Sequence, residues 1–312
     1  MNRRNFLKVS SASVAGLGLA PGLVMSGMKP KPYPICVFSK CLQFLAYDEL
    51  GEVVAKLGFD GVDLTVRKGG HVLPENVKKD LPNAVKAIRR AGIVVPMIST
   101  DINDPDDRFT EQFLGFVSDS GIQYYRMGYY SYSPKLTVFE NLDNNRRKLE
   151  KLEKINRKYT VRGGYQNHSG PWGMIGGAVW DLYHMLKDID PEYTGVQYDI
   201  AHAMVEGGFS WSIALEVIAP WVNSLAIKDY VWEKGEKRWN MSCVPLGEGM
   251  VDFKKYLENI DSKLSSVPIT MHYEYNLGGS ELGHTNPLMP PECIYKNLAR
   301  DLHYFKNSLL GS

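Results

Sequence analysis

Two carboxylates, several histidines and a lysine stand at spacings that let them share one pocket. Asp199-Ile-Ala-His202 closes the short apolar run 196–198, and His272-Tyr-Glu274 closes the run 267–271. Gln166-Asn167-His168 ends a third run and Lys228-Asp229 a fourth. Alternate residues of a strand point to the same face. His272 and Glu274 therefore share a face, as do Gln197 and Asp199, and Ala226 and Lys228. Asp199 and Glu274 together can hold a divalent cation, or divide the acid and base roles of a proton transfer. Lys228 can bind an anionic substituent or stabilise an enolate as it forms. Taken singly, each of these residues is equally well read as a helix cap, a packed core histidine or one half of an ion pair.

For such side chains to meet, the runs that carry them must be strands whose C-terminal ends open on one side. From Tyr33 onward, short β-type runs alternate with amphipathic segments. Strands are predicted over 34–38, 61–66, 93–99, 121–128, 160–168, 196–199, 221–229 and 267–274. Helices are predicted over 47–57, 80–91, 107–118, 138–159, 179–186, 211–218, 251–260 and 291–308. The first helix shows the logic: Leu50, Val53, Val54 and Leu57 fall on one face and Gly58 stops it. In the second, Asp80 is read as the N-cap with Pro82 in the first turn. Eight β–α units with short connections predict the α/β class and a single (β/α)8 TIM barrel. A doubly wound open sheet is the alternative, but no GxGxxG follows the first strand. In a barrel the active site lies at the C-terminal ends of the strands. That rule adds Asp63 and Arg67 from the second strand, His71 from its loop, and Arg126 from the fourth. Polar groups recur at the end of nearly every strand, where burial without partners would be costly.

A chain of 312 residues has room for one large barrel or two ordinary domains, and no linker or low-complexity tract divides it. The net charge of +1 leaves no electrostatic footprint for nucleic acid or an anionic membrane. Cys36, Cys41, Cys243 and Cys293 show no zinc-ligand spacing and are expected as free thiols. Before the barrel, Asn2-Arg3-Arg4-Asn5-Phe6-Leu7-Lys8 is a twin-arginine pattern followed by the small-residue apolar run 9–24. Residues 1–32 are accordingly expected to be a Tat-type export signal and linker, residues 33–312 the barrel, and the location periplasmic or otherwise exported. The run is too short and too rich in Gly, Ser and Ala for a convincing spanning helix, and no cysteine near its end suits a lipid anchor. No stable membrane span is expected after signal removal.

At this point the chain resembles a known superfamily, the xylose isomerase-like barrels. The resemblance rests on Gly58-Phe-Asp60-Gly-Val-Asp-Leu64, Asn167-His168, Asp199-x-x-His202, Ile227-Lys228-Asp229 and Pro245-Leu-Gly-Glu-Gly-Met-Val-Asp-Phe253. It covers essentially everything from Tyr33 onward and includes sugar isomerases, ketose 3-epimerases, inosose dehydratase and endonuclease IV. In its epimerase branch a divalent metal is held by Glu, Asp, His and Glu from strands five to eight, and the two glutamates exchange the proton beside a carbonyl. The resemblance implies Asp199 and Glu274 as catalytic carboxylates and ligands of a divalent metal (Mn, Mg or Zn), with His202 at a substrate-binding position. Two ligand positions depart from the pattern: strand five carries no Glu, and Ala226 stands where a His is expected. Substrate contacts are expected from His202, His168, Asn167, Gln166, Lys228, Arg126, His272, Asp63 and Arg67. The implied activity is an exported isomerase or epimerase acting by proton abstraction next to the carbonyl of a non-phosphorylated sugar or keto-sugar. The alternatives are a lyase or hydratase of the inosose-dehydratase type, and a catalytically inactive carbohydrate-binding barrel. The family pattern also implies a homo-oligomer. The endonuclease branch fits poorly, because its multi-zinc site needs more His and carboxylate ligands than the chain offers.

Overall fold

A computed structural model describes residues 34–170, 173–264 and 266–311, and the expected export signal and linker at 1–32 lie outside the described residues. Eight parallel strands close a barrel in the order β1-β10-β7-β6-β5-β4-β3-β2. They are β1 (Ile35–Phe38), β2 (Gly61–Thr65), β3 (Val94–Ser99), β4 (Tyr124–Arg126), β5 (Arg162–Gln166), β6 (Thr194–Asp199), β7 (Val222–Ile227) and β10 (Ile269–Met271). Between β7 and β10 an antiparallel hairpin, β8 (Asp229–Lys234) with β9 (Trp239–Val244), stands outside the barrel. The expected (β/α)8 barrel is therefore the fold.

The helices are α1 (Tyr47–Leu57), α2 (Val77–Arg90), α3 (Thr110–Asp119), α4 (Val138–Tyr159), α5 (Val179–Leu186), α6 (Ile200–Gly207), α7 (Trp211–Ile218), α8 (Phe253–Leu264) and α9 (Pro291–His303). Their ends follow local chemistry. Glu49 accepts a hydrogen bond from the Ala46 amide at the start of α1, and Gly58 ends that helix at φ +87°. Thr137 and Glu140 form a reciprocal capping box at the start of α4. Further along α4, the Asn156 side chain accepts from Tyr125 Oη (2.8 Å) and donates to Tyr193 O (2.9 Å) and Thr194 Oγ1 (3.0 Å). One buried amide thus ties the helix to the strands it covers. Strand β6 and the turn that leads into β7 approach so closely that a Cβ on Gly195 would lie 2.0 Å from Trp221 O.

Five expectations are corrected. Helix α2 begins at Val77, after a 3-10 turn at Pro74–Asn76, so Asp80 lies in its first turn and does not cap it. Pro82 sits inside the helix, where the carbonyl it leaves without a helical partner belongs to exposed Lys78. Strands β4 and β10 are far shorter than 121–128 and 267–274, so His272 and Glu274 lie just beyond the end of β10. The 221–229 run splits: β7 stops at Ile227 and Asp229 opens the hairpin. Helix α6 was not expected; it forms because the Asp199 side chain accepts the His202 amide (3.2 Å) and caps it. The described residues include no helix long and apolar enough to cross a membrane.

Candidate active site

The polar ends of β5, β6, β7 and β10 meet at the C-terminal mouth of the barrel, around the Lys228 ammonium. Lys228 leaves the end of β7 with its side chain 1% exposed. Its Nζ lies 2.8 Å from Glu274 Oε2, 3.2 Å from Asp199 Oδ2 and 2.6 Å from His202 Nε2. An ammonium has three N–H donors; here Glu274 and His202 each accept a hydrogen bond, and Asp199 stands alongside as an ion-pair partner. Burial works against the charge, but the two carboxylates outweigh it and hold the Lys228 pKa above its ordinary value. Lys228 is therefore an ammonium, not a free amine poised for nucleophilic attack.

Each partner is held in place from another strand. Asp199, at the end of β6, is fully buried. Asn167 brackets it by accepting from its amide (2.7 Å) and donating to its carbonyl (2.9 Å). Gln166 Nε2 donates to Asp199 Oδ2 at 2.9 Å. The far end of that amide is fixed as well, because Gln166 Oε1 accepts from Arg126 Nη1 (3.2 Å) and Tyr129 Oη (2.5 Å). On α6, burial and the charge of Lys228 push the His202 pKa well below its usual value, so the ring is neutral. Its Nε2 accepts from Lys228, which places the proton on Nδ1, 2.5 Å from Ser169 Oγ. The His168 ring packs 3.8 Å from that of His202, and burial holds its pKa down to about 3.

Glu274 differs from Asp199 in reaching the opening, with its side chain 22% exposed. Its Oε1 lies 3.8 Å from both Lys40 Nζ and His272 Nδ1. Burial raises its pKa, but the charge of Lys228, with Lys40 and the nearby His272 ring, brings it well below the usual carboxylate range. His272 stacks on Phe38 at 4.5 Å, and neither ring nitrogen has a hydrogen-bond partner. Arg67 and Arg126 lie 5.5 and 5.8 Å from the same Phe38 ring. Arg126 Nε and His168 Nδ1 are also buried without partners. These donors and acceptors are of the kind a polyhydroxylated ligand engages.

Of the expected residues, the structure brings Glu274, Asp199, His202, His168, Asn167, Gln166, Lys228, Arg126 and His272 into one linked cluster. Arg67 stands at its rim. Asp63 lies deeper, bonded to Ser99 Oγ (3.0 Å) and Thr270 Oγ1 (3.2 Å), a polar tie across the barrel interior. His71 packs on Ser39 (3.2 Å) and Thr65 (3.1 Å), away from the cluster. Asp229 also turns away and accepts the amides of Gly247, Gly249 and Val251. Phe38, Lys40, Tyr129, Ser169 and Cys243 were not anticipated. Phe38 ends the first strand and Lys40 lies in the turn after it, where the rule of C-terminal ends would have found them. Cys243, 3.9 Å from Glu274 Oε2, arrives on the unforeseen hairpin.

A divalent metal does not fit this arrangement. Ammonium Nζ already stands between the two carboxylates that the resemblance names as ligands. Gln166 turns an amide N–H, not a lone pair, toward Asp199. Buried Ala226 supplies no donor atom. Among the described residues, no group of three or more His, Cys, Asp or Glu side chains is arranged to hold a metal ion.

A closed parallel barrel with a convergent ionisable cluster at its C-terminal mouth is the architecture of a large class of small-molecule enzymes. This chain belongs to the xylose isomerase-like TIM barrel family, whose pattern it matches over residues 52–284. It is 23% identical over 220 residues to an uncharacterised protein of Methanocaldococcus jannaschii, covering 67% of this chain and 73% of that one. The fold resembles that of a D-psicose 3-epimerase solved in the presence of D-fructose, with a TM-score of 0.65 and 12% identity over 90% of this chain and all (100%) of that one. It also resembles a xylose isomerase-like barrel of Mycobacterium smegmatis in complex with magnesium, at TM-score 0.60 and 14% identity over 86% of this chain and 98% of that one.

Proposed function

We propose that this protein is an exported isomerase or epimerase that abstracts a proton next to the carbonyl of a non-phosphorylated sugar or keto-sugar. The observation that carries the reading is Glu274: of the two clustered carboxylates it alone reaches the opening, and Lys228 keeps it ionised. In this mechanism Glu274 Oε1 takes the α-proton, and the electron pair of the broken C–H bond moves onto the carbonyl oxygen. The enediolate that forms lies among the cationic groups of Lys40, Arg67, Arg126 and Lys228, whose field favours negative charge there. The unpartnered nitrogens of His272, His168 and Arg126 orient the sugar hydroxyls. Export before the cell interior's sugar kinases can act is the reason to expect a free sugar.

Asp199 bears on which reaction follows. It is fully buried, bonded to Gln166 and the His202 amide and ion-paired with Lys228, so it orients Lys228 and does not meet substrate. A single exposed carboxylate suits a proton returned on the face it left, as in isomerisation, or elimination of a β-hydroxyl. The lyase or hydratase reading draws its support from that same observation. Incubation with ketoses and keto-sugars in D2O, followed by proton NMR, distinguishes the possibilities. An enzyme of this kind washes deuterium into the α-position, and Glu274→Gln sharply slows the exchange. A sugar that binds without any exchange would overturn the reading in favour of a carbohydrate-binding barrel.

A further inference from the structure

We infer that Lys228 is a built-in replacement for a divalent cation, so that this barrel works with a covalently attached monovalent charge and without a metal. The groups around Nζ are a carboxylate, a second carboxylate and an imidazole nitrogen, which is the donor set of a typical divalent site. The contacts to His202 (2.6 Å) and Glu274 (2.8 Å) are hydrogen bonds to an ammonium, and Asp199 lies 3.2 Å away as its ion-pair partner. Metal–ligand bonds to oxygen and nitrogen are shorter, about 2.0–2.2 Å, so the cage is sized for N–H donors.

Charge balance agrees. A dication would neutralise Asp199 and Glu274 together. Here Lys228 sits on Glu274 Oε2 and Asp199 Oδ2, while Lys40 approaches Glu274 Oε1 at 3.8 Å. Two ammonium groups thus offset two carboxylates. The neighbours are adapted to the same end. The amide of Gln166 is locked by Arg126 and Tyr129 so that its N–H faces Asp199, and the His202 tautomer presents its bare Nε2 to Lys228. Seating a metal would require expelling a lysine that is buried among its partners, and would leave its charge without them. The inference concerns the cation of the site and stands whichever sugar reaction the site serves.

The test is binding, read independently of turnover. Mn²⁺ is titrated into the whole protein, purified without chelator, and the free-ion EPR signal is followed for wild type, Lys228→Ala and Lys228→Ala/Asp199→Asn. Wild type is expected to leave the signal undiminished. Lys228→Ala opens the cage and is expected to bind one equivalent at least about tenfold more tightly than wild type, a gain the added Asp199→Asn removes. Wild type that binds one equivalent, and loses it on Asp199→Asn, overturns the inference. So does a Lys228→Ala protein, folded by circular dichroism, that gains no Mn²⁺ site. If that variant does not fold, the wild-type titration decides, since it needs no substitution.

Discussion

Glu274 and Asp199 show how one residue type takes two roles through its surroundings. Both carboxylates touch the same ammonium, yet Asp199 is sealed by Gln166 and by the amide it caps, while Glu274 keeps one oxygen toward the opening. Glu274→Gln keeps the shape and removes the base. It is expected to lower the rate of α-proton exchange by about 10²–10⁴-fold, the usual contribution of a positioned general base. Sugar affinity, measured by calorimetry, should change much less. An exchange rate within a few-fold of wild type would move the base to another group, with His272 the nearest. Because Lys228 holds the Glu274 pKa down, the carboxylate remains a base through the mildly acidic range.

At the scale of elements, the unforeseen hairpin matters because Asp229 fastens it to the loop that leads into α8. The fully buried Asp229 carboxylate accepts the amides of Tyr230 (2.8 Å), Gly247 (3.0 Å), Gly249 (3.0 Å) and Val251 (3.1 Å). Asp229→Ala would leave the buried amides of Tyr230 and Val251 unpaired and is expected to destabilise the fold by about 3 kcal/mol, read as a lowered urea midpoint with an unchanged slope. A midpoint like that of wild type would show that water reaches the loop and replaces the carboxylate. The element boundaries that sequence got right have strong local punctuation. Helix α4 begins with Thr137 and Glu140 and α1 ends at Gly58, and both match the predicted 138–159 and 47–57. The boundaries it missed lack such marks. Nothing local distinguishes Ile227-Lys228-Asp229 as a strand end from a strand interior, because the change of partner from barrel to hairpin is a tertiary event.

For the whole molecule, pH dependence follows from histidines kept neutral by burial. His168 is held down to about 3 and His71 to about 4, and the Lys228 charge joins burial in depressing His202. In the unfolded chain a histidine titrates near about 6.5. Between that value and the folded ones, the unfolded state binds more protons, so stability rises with pH across this window and falls as pH drops below about 6.5. Urea midpoints between neutrality and mild acid are expected to decline steadily, and His71→Asn, a residue not among those that contact Lys228 or Glu274, should flatten the slope. A flat profile in wild type would show these rings protonated in the folded state. Export is tested on the whole chain too. Replacing Arg3 and Arg4 together by Lys is expected to retain the protein in the cytoplasm on cell fractionation, and unchanged recovery outside it would remove the reason for expecting a free sugar.

What the sequence determined by itself was everything that depends on periodicity and local capping: eight β–α units, hence a barrel, and hence polar residues gathered at one mouth. The tail 272–274 lies beyond the end of β10, so the strand parity expected there does not apply, yet His272 Nδ1 still comes within 3.8 Å of Glu274 Oε1. Only the tertiary structure decided what the gathered groups do to one another. Three partners from α6, β6 and the end of β10 close on one Nζ, and that convergence is a property of strand tilt and register around a closed barrel, which no local pattern encodes. The same closure buried Asp199, left Glu274 open, and put an ammonium at the position where the family resemblance had implied a metal.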